Sequence, residues 1–359
     1  DGYFLVTNAG KLDEQIGKAF QEIVARTSSA SGVATNSTRL DSNSKVYQAR
    51  FDSNGWKGEL LAFDLDDSDG SLADADDDGV PNPAVWDAGD LIPTPSARKI
   101  FSYDSTPGSE TGILFKYGPI MAPEVGKLNA AQRTLLNTDH LSVVDSLGST
   151  RVNFIRGDES TELHSSGPFR SRIDTDGNHF VLGDIINSDP WFSGRVEDFG
   201  YTALPGTEGS TYTTFRQGKL GRTPTIYFGA NDGMLHAIDA DNGNEIFAYV
   251  PDAVIGKLNL LTSSLYGCSG QGSCIPHTYF VDGAPKVSDA YFSSDTNWHS
   301  VLIGSTGAGG QSLFALEVTT PNSFSESNVL WEISTTTAPF ASDSAIVPTT
   351  IDPFLFSAR

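Results

Sequence analysis

The chain has 359 residues, of which 38% are hydrophobic, and its formal net charge at pH 7 is −22. The 21 Phe, 11 Tyr and 5 Trp are enough to fill a core, which excludes a wholly disordered chain. An acidic surface of this size repels nucleic-acid phosphates and anionic lipid head groups, and no stretch reaches the ~18 apolar residues of a membrane-spanning helix, so we expect neither nucleic-acid binding nor membrane insertion.

The first 44 residues predict a helix followed by a linker. The chain opens at Asp1 with neither an initiator Met nor a signal peptide, so we expect a processed or truncated piece of a longer secreted polypeptide. Apolar side chains recur at helical spacing until Ser28 and Ser29 end the run. They belong to Leu12, Ile16, Ala19, Phe20 and Ile23. We interpret residues 1–44 as a remnant of, or a connection to, a missing N-terminal region.

Beyond residue 44 the pattern is typical of a mainly β protein. Short alternating apolar runs lie between clusters of Gly, Asn, Asp and Pro, as in strands and hairpins. One weaker helical run, LNAAQRTLLNT, extends from Leu128 to Thr138. We therefore assign residues 45–332 to one β domain and treat residues 333–359 as a tail without a structural assignment.

The segment YFGANDGMLHAIDADNGNEIFAYVP predicts three strands joined by turns. Its Asn242-Gly243 pair suits a type I′ hairpin, because both central residues of that turn need a positive φ. The order of strand, Ala-apolar-acid, turn and aromatic strand recurs once before this segment and once after it. The equivalent alanines of the three copies are Ala62, Ala237 and Ala315, and the equivalent aromatic residues are Trp86, Phe247 and Trp331.

Degenerate copies of one such unit predict the blades of a β-propeller. A propeller closes with roughly 4–8 blades. The sequence shows only about three or four copies of the repeated unit. An open ring would leave strand edges bare. Either some blades are too irregular to recognise, or the sequence stops before the propeller is complete. We therefore expect a partial or modified β-propeller with a short N-terminal helical segment.

The acidic run DLDDSDGSLADADDDGVPNPAVWDAGD contains the best candidate for a metal site. It matches the D-x-D-x-D-G opening of an EF-hand-type calcium loop, in which alternate carboxylates converge on one hard cation. The twelfth position is Val85 instead of the usual Glu, so a later carboxylate, of Asp87 or Asp90, would have to complete the site. The alternative is a solvated acidic turn between strands. The predicted ligands are Asp74, Asp76, Asp78, the carbonyl of Val80, and Asp87.

Arg156, Gly157 and Asp158 spell an integrin-binding tripeptide, which makes them a candidate adhesion site. That function requires an exposed loop tip. The tripeptide follows a short apolar run, so in the alternative interpretation Arg156 pairs with a carboxylate at the end of a strand.

The two cysteines, Cys268 and Cys274, enclose a short Gly/Ser loop in GCSGQGSCIPH. The flexibility of that loop favours a disulfide in an oxidising compartment, which would contribute about 2 kcal/mol. The alternative is a pair of unpaired thiols. The spacing and the single nearby histidine, His277, do not suit a zinc site.

Two other features predict structure rather than chemistry. His236 lies in a strand with apolar neighbours, which favours a buried, satisfied histidine over a ligand or a base. The stretch from Gly304 to Gly310 resembles a phosphate-binding loop in composition only, since no Lys-Ser/Thr pair and no helix follow it. Its glycines are better explained by tight turns and close backbone approach.

Six ordered blocks between about Val46 and Glu332 resemble the C-terminal half of the PilY/PilC family of type IV pilus tip-associated adhesins and assembly factors. The blocks are VYQARFDSNGWKGELLAFDLD, VNFIRGDESTE, FRSR…VLGDIINSDPWFSG, YFGANDGMLHAIDA, FVDGAPKVSDAYF and VLIGSTGAGGQSLFALEVTTP…LWE. Several ordered blocks of this length are far more specific than a single motif.

The resemblance implies a quinoprotein-like propeller that is exported through the periplasm to the pilus tip or cell surface. It also implies a preceding N-terminal region, often with a von Willebrand A-like domain. The implied partners are minor pilins, a host or abiotic surface, and the remainder of the polypeptide. The chain departs from the family because the later blades and their calcium-binding loop are missing, so that metal site is not transferred to any residue. The tail STTTAPFASDSAIVPTTIDPFLFSAR matches nothing recognisable in the family.

The sequence thus predicts a non-enzymatic adhesin and pilus assembly factor whose attachment to surfaces would be modulated by calcium. A quinoprotein dehydrogenase using pyrroloquinoline quinone is the alternative, although the sequence shows no vicinal disulfide and no central set of ligands for cofactor-bound calcium. A third interpretation is a structural fragment whose partner is the rest of its own polypeptide.

Overall fold

The computed structural model describes residues 29–35, 45–66, 71–74, 82–118, 126–267 and 274–334. The predicted N-terminal helix and the tail after residue 334 lie outside this part of the chain and stay predictions. Within it the strands form three sheets, which confirms the mainly β fold class.

Two of the sheets are four-stranded antiparallel meanders in which each strand pairs with the next along the chain. The first sheet consists of β1 (Ser29–Thr35), β2 (Lys45–Asp52), β3 (Lys57–Asp64) and β4 (Trp86–Asp87). The third consists of β11 (Lys286–Phe292), β12 (Asn297–Ser305), β13 (Ser312–Glu317) and β14 (Val329–Ser334).

The second sheet contains the same meander with a hairpin added at its outer edge. Its meander strands are β7 (Trp191–Ser193), β8 (Thr225–Gly229), β9 (Leu235–Asp239) and β10 (Glu245–Tyr249). The hairpin is β5 (Ile100–Asp104) and β6 (Thr111–Leu114), and β5 pairs in parallel with β10.

Strand β1 lies in the segment that the sequence predicted to be helix and linker, so the β domain begins earlier than residue 45. The strand reads SASGVAT, and its small residues give little of the β-branched and aromatic signal by which strands are recognised. Antiparallel pairing with β2 along its length defines it instead.

The three meanders are copies of one unit, as the sequence predicted. In each sheet an alanine of the third strand is paired across the ladder with an aromatic residue of the fourth. All three alanines are fully buried. The pairs are Ala62 with Trp86, Ala237 with Phe247, and Ala315 with Trp331. A small residue opposite a large ring lets neighbouring sheets approach closely while the ring fills the space between them.

The sheets pack face to face. Successive side chains of a strand point to opposite faces, so one strand of the middle sheet contributes to two interfaces. In β8, Ile226 and Phe228 pack against the first sheet, whereas Tyr227 packs against the third. The first strands of the sheets lie side by side, since β7 contacts both β1 and β11. Face-to-face sheets arranged around their first strands are blades of a β-propeller.

Helical insertions between the blades account for the wide spacing of the repeats. The predicted helix near Leu128 is confirmed as α1 (Ala130–Leu136), which Asn129 and Gln132 begin with a capping box. It packs with α2 (Gly148–Ile155), α4 (Asp252–Ile255) and α5 (Leu258–Thr262) around a separate apolar core beside the second sheet.

Helix α3 (Gly206–Lys219) was not predicted. Its sequence, GTEGSTYTTFRQGK, is rich in Gly and Thr, which have low helix propensity. The helix is stabilised by tertiary contacts instead: Tyr212 and Lys219 are buried, and the helix packs on β12 of the third blade.

Candidate functional site

The acidic segment predicted to bind calcium forms the connection between β3 and β4. Its base is held by backbone hydrogen bonds, from the Ala73 N–H to the Asp64 carbonyl (3.0 Å) and from the Asn82 N–H to the Ala73 carbonyl (2.7 Å). Asp74 lies at this base, whereas Asp76, Asp78 and Val80 lie outside the described residues. In the part of the chain that is described, no three acidic, His or Cys side chains come together as a metal site, so the calcium loop stays a prediction.

Asp87 has a structural role at the edge of the same blade. Its Oδ1 accepts hydrogen bonds from the backbone N–H groups of Gly89 (2.9 Å) and Leu60 (3.2 Å), which caps a short 3-10 helix and ties it to β3. Burial raises the pKa of the Asp87 carboxyl to about 6, while the bond from Gly89 acts in the opposite direction. With Oδ1 engaged in this way, a calcium ion in the loop would depend chiefly on the aspartates that precede Asp87.

The candidate adhesion tripeptide is not an exposed loop tip at Arg156. That residue ends α2 rather than a strand, and only 6% of its surface is exposed. Its guanidinium donates to the backbone carbonyls of Pro95 (2.6 Å), Arg98 (2.8 Å) and Phe115 (3.2 Å), so the predicted carboxylate partner is replaced by carbonyl groups.

The other two residues of the tripeptide shape the turn that follows α2. Gly157 has a φ of 101°, which favours glycine, and a side chain there would meet Val181. Asp158 caps the next turn by accepting from the Ser160 N–H at 3.0 Å. The hydrogen bonds of Arg156 tie the segments that flank the β5–β6 hairpin to the helical insertion, and they leave its guanidinium no surface for an integrin-type contact.

His236 lies at the centre of a buried chain of charges. Its Nε2 contacts the Asp232 carboxylate at 3.1 Å and its Nδ1 contacts Glu245 Oε1 at 2.9 Å. Glu245 in turn accepts two hydrogen bonds of 2.7 Å from Arg98. Burial alone would lower the pKa of His236, but the charge of Asp232 and the hydrogen bonds to both carboxylates raise it to about 9. The histidine is therefore a charged, fully buried structural group.

A small cavity lies behind this chain of charges. Its polar lining comes from Arg170, Arg172, Asp184, Asn231 and Asp232, and its volume is about 20 Å³. That is room for about one water molecule. The cavity is too small for a substrate or a redox cofactor.

The Gly-rich stretch begins at Gly304 in the last part of β12 and continues after Ser305 as the tight turn that the sequence predicted. A side chain at Gly309 would lie 1.9 Å from the Phe280 carbonyl oxygen, and Gly307 has a φ of 53°. Glycine at these two positions permits the backbone to pass against the loop that leads into β11.

Of the two cysteines, Cys274 is described and Cys268 is not. Backbone hydrogen bonds join the two arms of the loop between them, from the Gly267 N–H to the Ile275 carbonyl (2.8 Å) and from the Ile275 N–H to the Leu265 carbonyl (3.0 Å). These bonds hold the ends of the loop close together, a geometry that suits the predicted disulfide, which stays a prediction.

Among the described residues, none of the helices has the length and apolar character needed to cross a lipid bilayer.

Antiparallel blades packed around their first strands place this chain among the β-propeller domains. The model of the PilY1 β-propeller domain family matches residues 182–345, which contain the second and third meanders. The chain is 37% identical over 343 residues to a type IV pilus biogenesis factor PilY1 of Pseudomonas aeruginosa strain PAK, covering 91% of this chain and 26% of that protein. It is 32% identical over 333 residues to a PilY1 homolog of Xylella fastidiosa, covering 92% of this chain and 23% of the homolog.

The chain belongs to the PilY1 family, which confirms the resemblance seen in the sequence. It spans about a quarter of the length of these curated relatives. Among solved structures it is similar to the C-terminal domain of Pseudomonas aeruginosa PilY1, at 42% identity over 41% of this chain and 26% of that one, with a TM-score of 0.30.

Proposed function

We propose that the chain is the propeller portion of a type IV pilus tip-associated adhesin and assembly factor, located outside the cell at the pilus or cell surface. The observation that carries this proposal is its similarity, over more than nine-tenths of its length, to proteins named type IV pilus biogenesis factors. Its partners would be minor pilins, a host or abiotic surface, and the remainder of its own polypeptide.

The structure suits recognition by loops on a rigid scaffold. The blades are joined by buried apolar interfaces, and the buried Lys219–Asp289 contact also links the second blade to the third, so the backbone that carries the connecting loops is held in place. The long connection between β3 and β4 leaves from and returns to one blade edge. Binding residues on loops that a rigid framework positions are a common arrangement in recognition proteins.

The proposal is tested in the bacterium that encodes the protein. Deletion of the gene should remove surface pili and attachment, and the wild-type gene should restore both. Surface pilin in sheared fractions measures assembly, and adhesion of washed cells measures attachment. Normal pilus numbers and normal attachment in the deletion strain would overturn the proposal.

We further propose that the loop between β3 and β4 binds one calcium ion. Replacing Asp76→Asn together with Asp78→Asn should abolish calcium binding by the purified, chelator-treated protein, since two of the alternating carboxylates are lost. Isothermal titration should show a dissociation constant on the order of 10⁻⁴–10⁻³ M for the wild type, the range of extracellular modules. The matched control is Asp176→Asn, at an exposed aspartate in the separate turn of residues 174–177, and it should leave binding unchanged. Equal calcium binding by the double variant and the wild type would contradict the site.

A further inference from the structure

One buried amine and one buried carboxylate are in contact between the second and the third blade. Lys219 is the last residue of α3, and Asp289 lies in β11 of the next blade. The Lys219 Nζ lies 2.6 Å from the Asp289 Oδ2, and the exposed fractions of the two side chains are 1% and 0%. Among the described residues no other lysine–carboxylate contact is buried so completely.

The surroundings of the amine are aromatic. The Nζ atom lies 5.4 Å from the ring centre of Phe199 and 5.3 Å from that of Phe215. Within the described part of the chain, Asp289 provides the hydrogen-bond acceptor for this nitrogen. Burial lowers the pKa of Lys219, although the hydrogen bond and charge of Asp289 act in the opposite direction. Deprotonation of Lys219 to the neutral amine thus costs less free energy than deprotonation of an ordinary surface lysine.

The carboxyl group is polarised from both sides. The Tyr212 hydroxyl donates to Oδ2 at 2.8 Å, and the Ser300 hydroxyl donates to Oδ1 at 2.8 Å. Arg222 donates to the Ser300 oxygen at 3.1 Å, which strengthens that donor. Hydrogen bonds aimed at a carboxyl oxygen stabilise the negative charge that develops there when a nucleophile adds to the carbon.

We propose that Lys219 and Asp289 are joined by an intramolecular isopeptide bond. A proton passes from the ammonium to Asp289 Oδ2, which gives a neutral amine and a neutral carboxylic acid. The nitrogen then attacks Cγ, and its second proton moves to Oδ2 through the Tyr212 hydroxyl, which donates one proton and receives another. The Cγ–Oδ2 bond breaks and one water leaves, while Oδ1 remains as the amide oxygen that accepts from Ser300. The reaction needs no oxidant and no co-reactant.

Two features of the site favour this reaction. The amide carries no charge, so its formation removes the cost of keeping two ions in an apolar, aromatic environment. Lys219 and Arg222 also line a surface pocket of about 400 Å³, which gives the released water a route to solvent. The bond would fasten the helical insertion of the second blade covalently to the first strand of the third, and it does not depend on the proposed function.

The mass of the intact chain tests the proposal. The folded protein is purified, reduced so that no disulfide contributes, denatured, and analysed by mass spectrometry. We expect the sequence mass less one water, and a branched peptide that joins the segments around Lys219 and Asp289 after proteolysis. The full sequence mass, with linear peptides covering both residues, would show an ion pair only and overturn the proposal.

Two variants test whether the lost water comes from the reaction of Lys219 with Asp289. Lys219→Arg keeps the positive charge but lacks the amine nucleophile, and Asp289→Ala lacks the carboxyl group, so both should have the full sequence mass. Because the wild-type mass decides the question, poor folding of a variant does not affect the outcome. A water loss that maps instead to any of the six Asp-Gly pairs of the sequence, as a cyclic imide, would also overturn the proposal.

Discussion

Replacing Glu245→Gln should lower the free energy of unfolding by about 3–5 kcal/mol, the range observed when one partner of a buried ion pair is removed. Glu245 accepts two hydrogen bonds from Arg98 and contacts His236, and the side chains of the Arg98–Glu245 pair are 0% and 1% exposed. Burial would raise the pKa of Glu245, but Arg98 and His236 lower it to about 2, so the carboxylate is charged in the folded protein. The variant would leave two buried cations facing the single carboxylate of Asp232.

A surface pair provides the matched control for this variant. Asp241 forms an ion pair with Arg195 in which the side chains are 59% and 43% exposed. Replacing Asp241→Asn removes one negative charge just as Glu245→Gln does, but exposed pairs contribute only about 0–1 kcal/mol. Urea unfolding followed by tryptophan fluorescence measures both effects. Equal losses in the two variants would show that burial of the Arg98–Glu245 pair does not matter for stability.

The repeat was predictable from the sequence because its signal is local. Alternation of apolar residues and the Asn-Gly turn lie within a few residues of one another, and they set the strands β8, β9 and β10. An alanine and a later aromatic residue recur in every copy, so the copies can be recognised although their other positions differ. Helix α1 was predictable for the same reason, since Asn129 and Gln132 form its capping box within four residues.

The buried polar groups were not predictable because their partners are distant in the sequence. Arg98 and Glu245 are 147 positions apart, and Lys219 and Asp289 are 70 apart. His236 is different, because Asp232 and Glu245 are only 4 and 9 positions away. The sequence placed His236 correctly among apolar neighbours but did not show that these two carboxylates contact its ring. The apolar residues before Arg156 predict a strand, whereas they belong to a helix, and carbonyl groups of two separate segments satisfy the guanidinium.

Glu332 connects the third blade to the helical insertion and should make stability depend strongly on pH. Its carboxylate accepts from the Tyr249 hydroxyl (2.7 Å) and from the backbone N–H groups of Asp252 (2.8 Å) and Ala253 (2.9 Å). Burial raises the pKa of Glu332 from 4.5 to about 7, and the nearby Asp252 acts in the same direction, although the hydrogen bonds oppose it. The folded state therefore binds this proton more tightly than the unfolded state does.

The direction of the pH effect follows from proton linkage. A carboxyl group whose pKa is raised by folding favours the folded state at low pH, and that contribution is lost as the pH rises from 4.5 to about 7. The loss amounts to about 3 kcal/mol for a shift of this size. His236 adds to the trend at higher pH, because its raised pKa gives stability that is present below 6.5 and lost as the pH rises through about 9. We expect the free energy of unfolding to fall steadily from mildly acidic to alkaline solution.

Thermal unfolding between pH 4.5 and 9 checks this prediction, with Glu332→Gln as the decisive variant. A glutamine side chain satisfies fewer of the surrounding donors, so the variant should be less stable than the wild type at pH 4.5, but it does not titrate. Its stability should therefore fall less steeply than that of the wild type between pH 4.5 and 7, where buried carboxyl groups such as Asp87 still titrate, and should still fall as the pH passes through the pKa of His236. If the wild type becomes more stable between pH 4.5 and 7, or if the variant keeps the wild-type slope there, Glu332 is not the titrating group. The slope identifies the residue because a merely structural defect would shift the whole curve without changing its shape.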